Sequence, residues 1–427
     1  MNRRDFLMAS AAAPGSVLMG AGRILGANDT IRVAVLGVNG RGRSHYEGFE
    51  PLPNVEVTTF VDPDLEVANR RADEFEKKFG HRPKVVQDMR RVFDDKDIDC
   101  VGIATPNHWH ALATIWACQA GKDVYVEKPG THSIPEGRSM IAAAKKYKRI
   151  VQHGVQLRSS EAIQEAVQKL REGVIGNVYM ARATIFKWRP KLENFPNVEP
   201  PKTLDYNLWV GPGKWRPYSK NHVHYNWHWT WDFGNGEIGN QGVHQLDMLQ
   251  WGLGVKLPTT VSAMGGKYLW NDRRETPELM TALCDFGTEK KYAEIAVRFW
   301  CSNNEAEAAC GNLFYGSEGY MAISGYTKYQ VFLGQKHEPG PSRQSATRHF
   351  ENFIDAVRSR KVEDLNGPVE TAHYSCALAH VANVALRTGG TLNFNPATER
   401  FTGNEKANSL LADTYRKGFV VPSPEKV

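Results

Sequence analysis

The sequence predicts a two-domain α/β protein, with a doubly wound parallel sheet in the N-terminal domain and a predominantly antiparallel sheet in the C-terminal one. Three observations carry this. Strand-like runs alternate with helical runs of about a dozen residues through the first 150 positions, which calls for parallel strands with right-handed crossovers. Beyond Gly154 the strands follow one another without intervening helices, which favours antiparallel pairing. The chain of 427 residues, 41% of them hydrophobic, has material for two ordinary cores.

The elements come in order. Ile31 to Leu36 (IRVAVL) is a short apolar run that stops at Gly37 and reads as a buried strand. Val55 to Val61 is the next strand, and Leu65 to Phe79 spaces its apolar residues as a helix with a charged face. Cys100 to Ala104 is a strand, His108 to Ala120 a helix closed by Gly121, Asp123 to Val126 a strand and Pro135 to Tyr147 a helix. Past Gly154, Ser160 to Arg171 is one more helix. Val178 to Trp188, Thr259 to Lys267, Met280 to Phe286, Tyr292 to Trp300 and Gly319 to Ser324 then read as strands. Arg189 to Pro217, rich in Pro, Asn and aromatics, is expected to be an ordered surface excursion. His349 to Arg358 and Val369 to Arg387 close the chain as helices, the second long enough to pack back on the first domain. The expected division is an N-terminal segment over residues 1–27, the doubly wound domain over 29–153, and the second domain over 154–427.

The N-terminus carries its own message. Asn2-Arg3-Arg4-Asp5-Phe6-Leu7 resembles a twin-arginine export signal, followed by a small, weakly apolar stretch from Met8 to Gly22, with cleavage expected near Ala27. That stretch is too short and too rich in Gly and Ala for a stable membrane anchor, and no later segment reaches about 18 uninterrupted apolar residues. An exported, periplasmic location is therefore the expectation. The formal charge of +6 falls to +4 without the first 27 residues, which hold Arg3, Arg4 and Arg23 against Asp5; this is too little to argue for nucleic acid. Cys100, Cys118, Cys284, Cys301, Cys310 and Cys376 show no Cys-x-x-Cys pair and no tight spacing with His. This points away from a zinc site or disulfide framework and toward buried free thiols, although an even count leaves disulfides open outside the cytoplasm. Eleven Trp, fifteen Tyr and fourteen His suit flat, hydroxyl-rich ligands as well as cores.

Chemistry concentrates at the strand ends. Gly37-Val38-Asn39-Gly40-Arg41-Gly42 comes directly after the first strand and opens a helix, where small residues let a pyrophosphate approach backbone N–H groups; its glycines depart from the usual dinucleotide spacing. Asp62 ends the second strand 25 positions beyond Gly37, where a carboxylate accepts from ribose hydroxyls and repels a 2′-phosphate. NAD is therefore the expected cofactor, with Arg41 and Arg43 leaving NADP as the alternative. Thr105-Pro106-Asn107-His108-Trp109-His110 and Glu127-Lys128-Pro129 stand at carboxyl ends of parallel strands, where ligands bind in this architecture. Gln156 and Arg158 come after the last strand of the first domain, which runs up to Gly154, and are expected to border the nicotinamide or the substrate. His222-Val223-His224-Tyr225-Asn226-Trp227-His228-Trp229 has three readings: a strand packing one face, a pocket wall whose indoles stack on a sugar ring while imidazoles bind its hydroxyls, or a metal site of His222, His224 and His228. No Cys or carboxylate completes a familiar metal spacing, so no metal is assigned, and His224, Tyr225, Trp227 and His228 are taken as substrate-binding.

Taken together, Gly37 to Gly42, Asp62, Thr105-Pro106-Asn107 with His110, and Glu127-Lys128-Pro129 resemble the cofactor half of the glucose-fructose oxidoreductase, inositol dehydrogenase and MocA superfamily. Gly239-Asn240-Gln241-Gly242-Val243-His244-Gln245-Leu246-Asp247 resembles its Asp-x-Gly-x-His-x-x-Asp helix. The likeness runs over nearly all of the chain after the signal. It implies that Lys128 and His244 converge on a secondary hydroxyl of a sugar, glycoside or polyol, with His244 as acid/base, Lys128 orienting the oxygen, and Asp247 one turn away near the substrate. Asn240 stands where the family commonly has Asp; an amide holds a hydroxyl but accepts no proton at neutral pH, which moves the proton task to His244. The open face of the C-terminal sheet is expected to join subunits or to shield the site, with a homo-oligomer formed through that sheet the expectation for partners. Two other functions keep the same fold: glycoside cleavage through transient oxidation, against which Lys128 stands and for which Asn240 leaves room, and exported sugar binding without catalysis. An exported enzyme of this kind is expected to carry its cofactor out already bound and to retain it.

Overall fold

The computed structural model describes residues 29–299 and 310–427. The export signal expected over residues 1–27 lies outside the described residues, as does Cys301.

Six parallel strands form the first sheet: β1 (Ile31–Leu36), β2 (Val55–Val61), β3 (Lys84–Val86), β4 (Cys100–Ile103), β5 (Asp123–Glu127) and β6 (Val151–Gly154), in the spatial order β3-β2-β1-β4-β5-β6. They alternate with α1 (Gly42–Phe49), α2 (Leu65–Phe79), α3 (Arg90–Asp94), α4 (Asn107–Gln119) and α5 (Ile134–Tyr147). Buried β1 divides its side chains between two cores, as period-2 geometry requires. Ile31, Val33 and Val35 face Tyr46, Phe49 and Phe75, whereas Ala34 and Leu36 face the cluster of Leu112, Ile115 and Met140. The strand order reverses between β1 and β4, so their carboxyl ends open the crevice that positions a ligand in doubly wound sheets.

The chain then passes through α6 (Glu161–Arg171) into β7 (Val178–Lys187), α7 (Tyr206–Val210), α8 (Gly236–Asn240) and α9 (Gly242–Leu253). A ten-stranded sheet takes β7 with β8 (Thr260–Gly266), β9 (Leu279–Asp285), β10 (Tyr292–Phe299), β11 (Cys310–Gly316), β12 (Gly319–Ser324), β13 (Lys328–Leu333), β14 (Glu338–Gln344), β15 (Thr391–Asn395) and β16 (Arg400–Phe401). Every pairing in it is antiparallel except β7 beside β10 at its middle. One face packs on α6 and α9: Val261, Ala282, Ile295 and Val297 meet Ile163, Val243, Leu246 and Leu249 in one apolar cluster. The intervening side chains, among them Leu283, face away.

Two terminal helices tie the halves together. α10 (His349–Ser359) sends Phe353 and Val357 into the first-domain core. α11 (Val369–Thr388) places Val369 and Ala372 in a first-domain core and Cys376 through Ala385 in the second, so one helix belongs to both.

The fold class is as the sequence predicts, and the expected helices and strands differ from the observed ones by about a residue at their ends. Strands β3, β11, β13, β14, β15 and β16 are additions to that expectation. β14 reads EPGPSRQ, and its prolines are tolerated because it lies at the sheet edge. The excursion after β7 is ordered as expected, but the His/Trp alternation is no strand: Asn226–Trp229 is a single 3₁₀ turn. Described Cys100, Cys118, Cys284, Cys310 and Cys376 are free thiols. Among the described residues no helix is long and apolar enough to cross a membrane.

Candidate functional site

A cleft of about 350 Å³ runs along the carboxyl ends of β1, β2, β4 and β5, with the excursion and the end of α8 as its far wall. At its floor, Gly37 takes φ of +82°, and a Cβ there would lie 2.7 Å from Ala104 O; one on Gly42 would lie 1.9 Å from Gly37 O. Both glycines are demanded by the turn itself. A Cβ on Gly40 would meet nothing within 4 Å, so at that point the loop offers bare backbone to the cleft. The loop is held from outside, where Arg71 donates to Asn39 O at 2.7 Å and Arg70 to the Asn39 side chain at 3.2 Å.

Asp62 marks one end of the cleft. Its carboxylate accepts from Val38 N and Asp64 N, both at 3.1 Å, which leaves half of its four acceptor positions open. Burial pushes its pKa up to about 6, against the two amides and nearby His224.

Glu127 organises the other end. It accepts from Arg41 Nε at 2.8 Å, from His45 at 3.2 Å and from Gln156 Nε2 at 3.2 Å, and Gln156 also donates to Tyr125. Burial alone would raise this carboxyl, but Arg41, His45 and Lys128 outweigh it and hold Glu127 well below the usual carboxylate range. Lys128 Nζ donates to the main-chain oxygen of Asn240 at 2.5 Å, which bridges the two domains. Burial lowers the Lys128 ammonium and Glu127 opposes that shift.

His244 lies in α9, buried, with its ring edge against Tyr326 at 5.0 Å and Nδ1 without a hydrogen-bond partner. Burial first and then the Lys128 charge hold its pKa well below the ordinary histidine value, so the imidazole is neutral at pH 7. Thr105 Oγ1 is likewise buried without a partner in the cleft wall. His110, between Pro129 O at 2.6 Å and Thr105 O at 2.7 Å, ties together the turns after β4 and β5, and Asn107 donates to Asn235 at 3.3 Å.

Of the residues singled out from the sequence, Gly37, Asn39, Gly40, Arg41, Asp62, Thr105, Asn107, His110, Glu127, Lys128, Asn240, His224, Tyr225, Trp227 and His228 line this one cleft. Gly42 sits just behind, starting α1. Others are placed differently, and His244, buried in α9, is not among the residues that line the cleft. Gln156 braces Glu127 rather than forming the wall. Arg158 and Asp247, read as substrate-binding, are spent on each other in a two-pronged pair at 2.7 and 2.9 Å, off the cleft wall, with Arg158 over Trp251. His224 lies 3.1 Å from Asp64, at the Asp62 end. His228 stacks on Trp227 with ring centroids 3.6 Å apart, and burial pushes its pKa down to about 3. Among the described residues no three His, Cys, Asp or Glu side chains are grouped to hold a metal.

Several supporting groups were missed in the sequence. His45, one turn into α1, is legible only as a buried polar residue on that helix's apolar face. Arg189 and Glu237 form a two-pronged pair at 2.8 Å, and Arg189 also donates to Tyr225 at 3.2 Å, which fixes the aromatic wall. Nothing in the spacing of 48 residues points to that pairing.

This site fits a dinucleotide: bare backbone at Gly40 for phosphates, a half-satisfied carboxylate at Asp62 on one side for ribose hydroxyls, and an orphaned hydroxyl at Thr105 on the other. Comparison with known proteins agrees. Residues 31–155 match a model described as an oxidoreductase family with an NAD-binding Rossmann fold, residues 159–264 and 334–421 match that family's C-terminal alpha/beta domain, and residues 212–322 match a GFO/IDH/MocA C-terminal domain. A levoglucosan dehydrogenase of Pseudarthrobacter phenanthrenivorans is 29% identical over 204 residues, 48% of this chain and 43% of that protein. A glycosyl hydrolase family 109 protein of Shewanella baltica is 28% identical over 172 residues, 38% of this chain and 37% of the other. The matched stretches thus span less than half of either relative. In overall structure the chain is similar to the WlbA dehydrogenase of Bordetella pertussis, solved with NADH and UDP-GlcNAcA. The TM-score is 0.64 at 17% identity, over 86% of this chain and 99% of that one, a likeness of fold.

Proposed function

From the premise that the chain belongs to the Gfo/Idh/MocA oxidoreductase family and carries its NAD-binding Rossmann domain, we propose that it oxidises a secondary hydroxyl of a sugar, glycoside or polyol. The observation that carries this reading is the meeting of Lys128 with Asn240 at the inner end of the cleft, with neutral His244 close enough to feel the Lys128 charge. In this reading Gly37, Asn39, Gly40, Arg41 and Gly42 hold the pyrophosphate, Asp62 the adenosine ribose, and Thr105, Asn107 and Glu127 the nicotinamide half. NAD, when bound, supplies the hydride acceptor.

The protein's own groups handle the proton and the developing charge. Lys128 faces the hydroxyl oxygen and stabilises it as its proton leaves, while His244, held neutral by burial, accepts that proton. The carbinol carbon loses a hydride and its oxygen a proton, leaving a ketone. Asn240 donates or accepts at a neighbouring hydroxyl, and Tyr225 and Trp227 offer faces to the sugar ring. Arg41 and Arg43 are both engaged by carboxylates, Glu127 at 2.8 Å and Glu47 at 3.0 Å, which favours NAD over NADP beside Asp62. The levoglucosan dehydrogenase relative supports a sugar as substrate.

Two further parts of the reading concern setting. The exported, periplasmic location and a retained cofactor go with the signal at Arg3-Arg4. Retention for minutes at ordinary association rates needs a dissociation constant of about nanomolar or below. A second copy of the chain is the proposed cover for the outer sheet face around Leu283 and the stacked Tyr320–Phe332 pair.

The glycosyl hydrolase relatives favour a second reading, redox-neutral cleavage of a glycoside at the same site. A panel of free polyols and aryl glycosides separates the two. Reduced nicotinamide formed with the polyols supports oxidation, and released aglycone with no net reduction supports cleavage.

A further inference from the structure

The wall opposite the glycine loop comes from the second domain, and its construction is unusual for a surface excursion. Leu204, Tyr206, Trp209, Tyr218, Val223 and Phe233 belong to an apolar cluster of their own, separate from the cores of both sheets. The segment is therefore a preformed body. At the Asp62 end it meets the first domain through hydrogen bonds: Leu65 N donates to Thr203 O at 3.0 Å, Asp205 N to Pro63 O at 2.9 Å, and Gln87 to Thr203 O at 3.3 Å. His224 closes the row against Asp64 at 3.1 Å, two residues beyond Asp62. A second attachment lies on α4, where Trp109 Nε1 donates to Leu208 O at 3.0 Å and Trp209 O at 3.1 Å and the His108 ring meets Trp209 O at 3.1 Å, so the His224 end is the edge free to open.

From this arrangement we propose that residues 203–228 are a strap lying across the dinucleotide cleft, with the His224–Asp64 contact as its clasp, and that the strap sets how long the cofactor stays. His224 is thus a positioning residue at the adenosine end rather than a substrate ligand. The inference rests on the reading that NAD occupies the cleft. Its physical content is that a dinucleotide enclosed between the glycine loop and a body with its own core leaves only when the hydrogen-bonded edge opens. The Gly37–Gly42 loop alone, open on one side, would let it exchange freely.

The test measures NAD dissociation from loaded full-length protein by chase with excess labelled NAD. It compares the wild type with His224→Ala, Asp64→Asn and the double variant. Asp64→Asn is informative because Asp64 Oδ1 also caps α2 through Glu66 N at 3.1 Å, a bond that an Asn oxygen keeps, so the clasp is weakened while the helix start survives. Each single variant is expected to speed release at least tenfold, about 1.4 kcal/mol, and the double variant no more than either single one, since both lose the same contact. Release within twofold of wild type in both single variants, with NAD still bound, would overturn the strap and leave the cofactor reading intact. Additive effects in the double variant would overturn the clasp. Wild-type protein that neither releases nicotinamide nucleotide on denaturation nor binds added NAD in a calorimetric titration would overturn both readings together.

Discussion

The Arg41 guanidinium and the Glu127 carboxylate, 86 residues apart in sequence, meet at 2.8 Å and lock the glycine loop to the end of β5. The same carboxylate receives His45 and Gln156, so one buried acid sets both the loop and the entrance to Lys128. Glu127→Gln keeps the shape but removes the charge. Hydrogen bonds to charged groups are worth about 1.5–3 kcal/mol, and Arg41 is partly exposed, so the low end applies. We expect NAD affinity to fall about tenfold and the melting temperature to drop, read by titration and by thermal unfolding; unchanged values for both would remove Glu127 as the organiser.

Lys128→Ala and His244→Ala should each lower kcat by about 10²–10⁴-fold, the range for loss of a positioned acid, base or charge, while NAD binding stays measurable. Steady-state kinetics with NAD titrations checks this. Wild-type turnover in either variant removes that residue from the proposed chemistry.

Asp62 should govern the choice of cofactor. Asp62→Ser removes the charge that repels a 2′-phosphate, and kcat/KM for NADP is expected to rise at least tenfold relative to that for NAD. An unchanged ratio would place the discrimination elsewhere, with Arg70 and Arg71 beside Asn39 the next residues to vary.

The same carboxyl gives a pH dependence with a defined sign. Burial raises Asp62 to about 6 in the folded protein, above the ordinary carboxylate value, so the folded state binds the proton more tightly than the unfolded one. Its contribution to stability is present below the unfolded value and is lost as pH rises through about 6. Cofactor binding runs the opposite way, because ribose hydroxyls donate to the ionised form. Accordingly kcat/KM for NAD, which reports the free enzyme, should fall as pH drops below about 6, and Asp62→Asn should flatten that limb. A limb that persists in Asp62→Asn assigns it to another group.

Much of the fold and the cleft is legible in the chain because local rules carry it. Apolar runs ending at Gly37, Asp62 and Glu127 mark strand ends, and in a doubly wound sheet strand ends are where ligands bind. What escapes is non-local. The pairing of Arg158 with Asp247, 89 residues away, consumes two polar side chains that the sequence offers to a substrate. His224 meets Asp64 because the excursion folds on itself around Trp209 and Phe233 before crossing the first domain. Strand β14 is hidden by its prolines, which an edge position excuses.

Hydride removal from a secondary hydroxyl is the step on which all of this chemistry depends, and isotope transfer tests it most directly. Loaded protein is offered sugars and polyols carrying deuterium on the carbinol carbons, and the nicotinamide is recovered after denaturation for mass analysis. The predicted result is deuterium on the reduced nicotinamide with at least one substrate, together with the matching ketone, and both products formed at least about a hundredfold more slowly in His244→Ala. Recovered NAD without deuterium, while the same substrates are consumed, would contradict it.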